Sequence, residues 1–486
     1  VDFILQGFIN ALELLKGGDS SVWSAIFATI KVSTGSMLLS ISAGVPCGFC
    51  LGYFNFRGKR AVRTVVDTLL SLPTVFVGLM VYAFISRQGP LGEFGLLFTL
   101  TGIAIGQSIL AFPVVTALTA AAVEGIDSDL HLTLISLGAG KKEIFLTSLW
   151  EVRFGIVAAV VTAYGRVMTE VGISMMVGGN IKWHTRTIAT AIALETGKGM
   201  FANGIALGLV LLAIAFGVNL SLVLLRKKYK TYRSYGVVPA AMKLSFCGID
   251  GIKYMNLPEP SLNTPDIFEL NSVQHIYNGR IALDINRLVI GRATITGVVG
   301  PNGSGKSTLL KLLAFTMRPT RGAICFNGKS ELPFSKSVRF NITLLTQEPY
   351  LLKRTVYENI RYGLKIRNRH GIAGNSDKQI IMKIRIAMSH VGLDFKTFAQ
   401  RRWSELSGGE AQRVAMAARL ALKPEVLLLD DPTSSVDRES AEKIRDAAKT
   451  ARERWGTTIV VASHDRNWLD GLCDTHINLI NSTIIT

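Results

Sequence analysis

Charge is scarce in this chain of 486 residues: Asp, Glu, Lys and Arg make up 18%, against about 25% in ordinary globular domains. Acid is scarcer than base, with 35 Asp+Glu facing 53 Lys+Arg for a formal net charge of +18. Together with a mean hydropathy of +0.34, this excludes an ordinary soluble enzyme. It also excludes a disordered basic tail, which requires low hydrophobicity. Cysteine is sparse as well, and the five present do not form a disulfide framework. Cys47 and Cys50 make a C-x-x-C inside an apolar run, while Cys247, Cys325 and Cys473 are scattered. A metal or redox role would need a second ligand pair or a thioredoxin-like context. Cys47 and Cys50 are therefore read as small residues at a helix-packing surface.

The average conceals two unlike halves. Residues 1–238 hold 19 Lys+Arg and 12 Asp+Glu, and residues 239–486 hold 34 and 23. In the first half, residues 32–56, 68–86, 94–123 and 199–225 contain no ionisable Asp, Glu, Lys, Arg or His. Each reaches the ~20 residues that cross a bilayer. A fifth stretch, 154–178, is apolar except for Arg166 and Glu170. About five spans are expected over 21–228, with six as the alternative. The run Phe3–Leu15 is amphipathic and too short to span, so residues 1–20 read as an interfacial helix. Twelve Lys and Arg fall in the loops on one side and five on the other. The positive-inside rule then puts the N-terminus outside and the second half in the cytoplasm.

Pro46, Pro73 and Pro113 and many glycines punctuate the spans, as in helices that pack closely or line a cavity. Arg166 and Glu170 are four apart and are expected on one helix face near the midplane. They are candidates either for the translocation path or for a mutually neutralised packing pair. The long loop 124–153 carries two helical patterns separated by Gly138-Ala139-Gly140. Two short cytoplasmic helices that dock on a partner domain fit it, as does a solvated amphipathic loop.

A Pro-bearing linker is expected at 229–265, and an α/β pattern occupies 266–486. Gly300-Pro301-Asn302-Gly303-Ser304-Gly305-Lys306-Ser307 matches G-x-x-x-x-G-K-[ST]. It sits between the apolar run Ile295–Val299 and a helical segment from Thr308, the context that makes a phosphate-binding loop. Backbone N–H groups and the helix N-terminus favour phosphate. Lys306 suits the β- and γ-phosphates and Ser307 suits magnesium. Val426–Asp430 reads as a buried strand ending in a carboxylate for the magnesium shell. Asp431 is placed to orient or deprotonate the attacking water. His464, at the end of the strand Thr458–Ala462, is a candidate contact to the γ-phosphate. Gln347, after Ile342–Leu345, is a candidate bridge between magnesium, water and a neighbouring domain.

Leu406-Ser407-Gly408-Gly409-Glu410-Ala411-Gln412 closely resembles the signature motif of ABC ATPases. With the phosphate loop, Gln347, Asp430, the Ser435-Val436-Asp437 turn and His464, the resemblance covers about 220 residues in the family's order. It implies a head-to-tail dimer in which Ser407-Gly408-Gly409 of one copy closes over ATP held by the other. It also implies nucleotide contacts from Thr308, Gln412 and Asp437, and adenine stacking on Tyr277. One departure stands out. The family usually has Glu where this chain has Asp431, a reach shorter by roughly 1.5 Å, so a working but slowed ATPase is expected.

The segment Thr397–Glu405 does not resemble the stretch that precedes the signature in exporters. Leu134–Gly140, in contrast, resembles the coupling motif of binding-protein-dependent importers. Arg153–Ala159, Gly165-Arg166, Glu170-Val-Gly, Met176–Ile181 and Thr190–Thr196 resemble the permeases of tungstate importers, with molybdate and sulfate permeases more distant. Leu313-Ala-Phe315 and Tyr277-Asn-Gly-Arg280 resemble the ATPase of the same system. The resemblance implies a permease and ATPase joined on one chain. Two copies would import a tetrahedral oxyanion, tungstate first and molybdate or sulfate as alternatives. An extracytoplasmic binding protein would deliver the ion at the cytoplasmic (inner) membrane of a prokaryote, powered by ATP and Mg2+. Twenty-two residues follow His464, so no C-terminal oxyanion-sensing module is expected. An exporter or a membrane-tethered ATPase sensor is the reading from another class. No nucleic-acid partner is expected. The basic balance follows from membrane orientation, phosphate handling and the anionic inner leaflet of the lipid bilayer.

Overall fold

The computed structural model describes residues 20–232 and 266–485, apart from positions 278, 334, 373 and 435. The interfacial helix expected at 1–20, most of the expected linker, Cys247 and Ser435 lie outside the described residues.

The described residues form two compact units, one within 20–126 and 149–232, the other within 127–148 and 266–485. The first is helical. Its elements are α1 (Ser20–Tyr53), α2 (Lys59–Leu69), α3 (Thr74–Ile85) and α4 (Leu100–Glu124). Two helices of the intervening element follow, α5 (Ser128–Ser136) and α6 (Lys141–Glu151). The helical unit resumes with α7 (Arg153–Met168), α8 (Gly172–Gly178), α9 (Ile188–Gly197) and α10 (Phe201–Tyr232). Among the described residues, three helices are long and apolar enough to cross a membrane, or up to five if two bent pairs each count as one span.

Several boundaries differ from expectation. The first long helix begins at Ser20, so Lys31 lies within it. The second expected span is broken at residues 70–73, where α2 and α3 meet at 96°. Pro73 occupies the N-cap of α3 with extended backbone; a proline cannot extend the preceding helix, and it biases the residue before it away from helical geometry. The last helix continues past 228 to Tyr232, and α9 has no counterpart among the expected spans.

Close approach of α1 and α4 holds this unit together. Gly44, Gly48 and Gly52 repeat every fourth residue. A Cβ added at Gly48 would stand 2.5 Å from the Thr116 carbonyl oxygen, and one at Gly52 would stand 2.7 Å from that of Ala120. This is small-residue packing, which lets backbones touch where lipid provides no hydrophobic drive. It corrects the reading of the cysteines. Cys47 and Cys50 are exposed, and glycines form the packing stripe instead.

The second unit carries a ten-stranded sheet, in the order β5-β4-β1-β2-β10-β9-β3-β8-β7-β6. The strands are β1 (Phe268–Tyr277), β2 (Arg280–Ile290), β3 (Ile295–Val299), β4 (Arg321–Phe326), β5 (Lys329–Ser330), β6 (Ile342–Leu345), β7 (Val426–Asp430), β8 (Thr458–Ala462), β9 (Thr475–Ile480) and β10 (Thr483–Ile485). Strands β9, β3, β8, β7 and β6 are parallel neighbours. Strands β3, β6, β7 and β8 are buried at every residue, as expected of parallel strands covered on both faces. On one face α11 (Lys306–Leu313) joins the core made with β1, β2 and β4. On the other lie α13 (Val356–Arg369), α14 (Asp377–His390), α16 (Gly408–Leu420) and α17 (Arg438–Trp455). Two shorter helices, α12 (Lys336–Asn341) and α15 (Phe395–Phe398), connect them.

Candidate functional site

The phosphate loop runs from the end of β3 to the start of α11. Gly305 has φ of 100°, and a Cβ there would meet the Ala282 carbonyl oxygen at 2.4 Å, so this position needs glycine. The Lys306 ammonium donates to the carbonyls of Gly300 at 2.7 Å and Pro301 at 2.9 Å. The lysine is thus folded across its own loop. Ser304 is buried and its hydroxyl oxygen has no protein partner. A cradle of N–H groups, an ammonium at its mouth and an unsatisfied hydroxyl fit a polyphosphate.

The Ser307 hydroxyl donates to Oδ1 of Asp430 at 2.9 Å. Asp430 is buried at the end of β7, and burial raises its pKa above the usual carboxylate value. Hydroxyl and carboxylate oxygens side by side fit a hard divalent cation. Gln347 is exposed, two residues past β6.

Asp431 follows directly, with φ of 42°, a left-handed backbone that Asp tolerates better than most residues. Its Oδ1 accepts from the Ser463 hydroxyl at 3.1 Å, and Oδ2 lies 2.9 Å from Nδ1 of His464. The structure therefore brings the expected base and the expected phosphate-contacting histidine into one pair, and adds Ser463, which the sequence reading did not single out. Tyr277 is 45% exposed, its hydroxyl 3.4 Å from the Met317 sulfur. An exposed ring at the end of β1 is available for stacking.

The signature segment opens α16 through a reciprocal cap. The Ser407 hydroxyl accepts from Glu410 N at 3.3 Å, and Glu410 Oε2 accepts from Ser407 N at 2.8 Å, a capping box. A Cβ at Gly409 would lie 2.7 Å from Ser440 Oγ and 2.8 Å from Asp437 Oδ2, so glycine here leaves room for the Asp437–Ser440 cap. Gln412 donates to the Pro432 carbonyl at 3.3 Å. Asp437 directs both carboxylate oxygens to Ser440, capping α17, and these hydrogen bonds lower its pKa. Within one copy its observed work is this cap.

The 127–148 element packs on the ATPase as two helices, which corrects the solvated-loop alternative. Leu137 is 3% exposed and joins the core that contains Ile360, Leu364 and Leu422. Gly138, with φ of 90°, faces Phe340; an added Cβ would lie 3.0 Å from Cε1 of that ring. Gly140 N donates to Glu143 Oε2 at 3.0 Å, and Glu143 Oε1 pairs with His370 Nε2 at 3.3 Å. Thr147 and Tyr362 share a hydroxyl hydrogen bond of 2.9 Å. Ala139 is buried between these contacts. The receiving residues Phe340, Thr343, Tyr362, His370 and Arg419 were not singled out in the sequence. Arg419 alone left a signal there, as the one charge inside the apolar run 414–422.

Arg166 and Glu170 do not form the expected pair. Helix α7 ends at Met168, so the i, i+4 relation fails. Glu170 is buried and its Oε1 accepts from Ile173 N at 3.3 Å, while Arg166 is exposed and donates to the Leu70 carbonyl at 3.4 Å. Beside them Ile173 wedges between Gly78 and Gly106, and Gln107 donates to the Ser174 hydroxyl at 3.1 Å.

A phosphate-loop ATPase sheet and a bundle of apolar helices on one chain define an ATP-driven membrane transporter. Residues 283–434 match the ABC transporter family, and residues 44–231 match the binding-protein-dependent transport system inner membrane component family. The chain belongs to the ABC transporters, with a permease of the binding-protein-dependent type fused to its ATPase. It is 51% identical over 219 residues to the tungstate uptake system permease protein TupB of Campylobacter jejuni, covering 45% of this chain and 92% of that protein. It is 35% identical over 210 residues to the tungstate uptake system ATP-binding protein TupC of Peptoclostridium acidaminophilum, covering 43% and 92%. A probable anion ABC transporter permease protein of Haloferax volcanii is 42% identical over 196 residues, covering 39% and 84%. This is a multi-pass membrane protein that binds ATP and couples its hydrolysis to transport.

Proposed function

We propose that two copies of this chain import a tetrahedral oxyanion, tungstate first, across the cytoplasmic membrane of a prokaryote. The observation that carries the reading is that each half resembles a different subunit of a tungstate uptake system. An extracytoplasmic binding protein delivers the anion to the outer face. Ser407-Gly408-Gly409 of one copy closes over nucleotide held on the phosphate loop of the other, where the α16 N-terminus favours phosphate. Lys306 releases the Gly300 and Pro301 carbonyls and turns to the β- and γ-phosphates. Ser307, Asp430 and Gln347 would hold Mg2+, which when bound would supply positive charge against the phosphates. Asp431, oriented by Ser463 and His464, takes the proton of the attacking water. Helices α5 and α6 are continuous in the chain with α4 and α7, and carry closure to the spans.

Vesicles reconstituted with the full chain, loaded with ATP and supplied with the cognate binding protein outside, should take up labelled tungstate. Uptake should need the binding protein, and Lys306→Ala should stop it. Molybdate and sulfate uptake under the same conditions ranks the substrates. Uptake that is indifferent to binding protein would overturn import and favour an exporter or sensor.

A further inference from the structure

Helix α16 begins at the phosphate-facing signature and spans 13 residues, about 20 Å. Arg419 lies in its last turn and is 1% exposed. Its three hydrogen bonds reach three elements. Nη1 donates to the Ala415 carbonyl in its own helix at 2.8 Å, and Nε donates to the Leu344 carbonyl of β6 at 2.7 Å. Nη2 donates to the Ser136 hydroxyl, the last residue of α5, at 3.3 Å. Ser136 is gripped a second time, since its carbonyl accepts from the Thr343 hydroxyl of β6 at 2.8 Å. Burial lowers the Arg419 pKa to about 9, and no carboxylate contributes to that environment. A buried cation satisfied only by neutral acceptors is expensive, and an apolar residue of similar size fills such a space as well or better. Its presence calls for a reason other than packing.

We infer that Arg419 is a positioning residue that locks the far end of the signature helix to the cytoplasmic element through Ser136. The apolar contacts of Leu137 are non-directional and tolerate sliding. Hydrogen bonds to a desolvated guanidinium do not, because each one broken leaves a buried charge short of a partner. A shift of α16 on nucleotide closure therefore moves α5 with it, and β6, which leads to Gln347, moves as part of the same block. This rests on the proposed role of α5 and α6 in transmitting closure, but not on the identity of the transported ion.

The test pairs hydrolysis with uptake in reconstituted vesicles of the full chain. Ser136→Ala removes one hydroxyl, and with it the hydrogen bond from Arg419 and a local one to the Thr133 carbonyl. It should leave ATP hydrolysis within about twofold of wild type while uptake per ATP falls about 10- to 100-fold, the scale of one lost hydrogen bond to a charged group. Arg419→Met should uncouple at least as strongly, and adding Ser136→Ala to it should change little further. Hydrogen exchange of the Ser128–Ser136 amides with and without ATP reads the tie without any transported ion. In wild type it should respond to ATP. In Ser136→Ala the response should vanish there and persist in 408–420. A wild-type chain that responds in this way yet takes up no oxyanion would overturn the proposed substrate and support the tie. Equal losses of hydrolysis and uptake in Ser136→Ala, or an unchanged ATP response at 128–136, would overturn the inference.

Discussion

Asp431 and His464 form a carboxylate–imidazole contact of 2.9 Å, and Ser463 holds the other carboxylate oxygen at 3.1 Å. The shorter side chain is thus fixed from two sides at the end of β7. Replacing it with an amide keeps the shape and removes the proposed base. Asp431→Asn should bind ATP normally but cut phosphate release by about 100-fold or more, the range of general-base contributions. Retained nucleotide and released phosphate, measured on the same sample, check this. Normal turnover would place the base elsewhere.

Asp430 supports a prediction about pH. Burial raises its pKa in the fold, more than the Ser307 hydrogen bond and nearby Lys311 and Lys306 lower it. The folded state then binds the proton more tightly than the unfolded chain. The stability from this group is present in full below the unfolded carboxylate pKa, about 3.9, and is lost as pH rises through the raised folded value. At neutral pH the ionised Asp430 therefore weakens the nucleotide-free fold. Asp430→Asn should raise its Tm at pH 7, by about 2–4 °C for each 1 kcal/mol relieved. The gain should shrink on acidification toward pH 4. The variant should also lose the extra stabilisation that magnesium adds to bound ATP. Thermal melts of the full chain with chelator, and with Mg2+ and ATP, check both.

The phosphate loop and signature were legible because their chemistry demands fixed local spacing. Gly300 to Ser307 and Ser407 to Gln412 need no knowledge of the fold to be found. Other features depended on where helices stop. Arg166 and Glu170 would share a face only on a continuous helix, and α7 ends between them as Glu170 turns to Ile173 N. Apolarity located the α1–α4 pair, but the packing stripe runs through Gly44, Gly48 and Gly52 and leaves Cys47 and Cys50 exposed. The receiving surface for Gly138 joins residues some 200 positions apart, such as Ser136 and Thr343. No local pattern encodes that pairing.

Tyr277 should matter to affinity rather than rate. Its ring is exposed and anchored at the hydroxyl by Met317. Base–aromatic stacking contributes about 1–3 kcal/mol by alanine substitution, so Tyr277→Ala should weaken ATP binding by about 5- to 150-fold. Tyr277→Phe keeps the π-face and should stay within about twofold. Titration of the full chain with a fluorescent ATP analogue separates the two. Equal affinities for all three chains would return Tyr277 to a structural role.

The α1–α4 contact is sensitive to volume. A Cβ at Gly48 would lie 2.5 Å from the Thr116 carbonyl oxygen and 2.8 Å from the Thr119 Cβ. Neither neighbour is the far end of a flexible side chain, so the helices must separate. Gly48→Leu should therefore lower the thermal stability of the detergent-solubilised chain, with overpacking costs of about 1–3 kcal/mol. Cys47→Leu, one residue away on the exposed side, should cost under about 0.5 kcal/mol, as surface substitutions do. Melting both variants side by side tests the direction of the stripe. If Cys47→Leu were the more damaging, the helix would be packed through its cysteine face and the glycine register would be wrong.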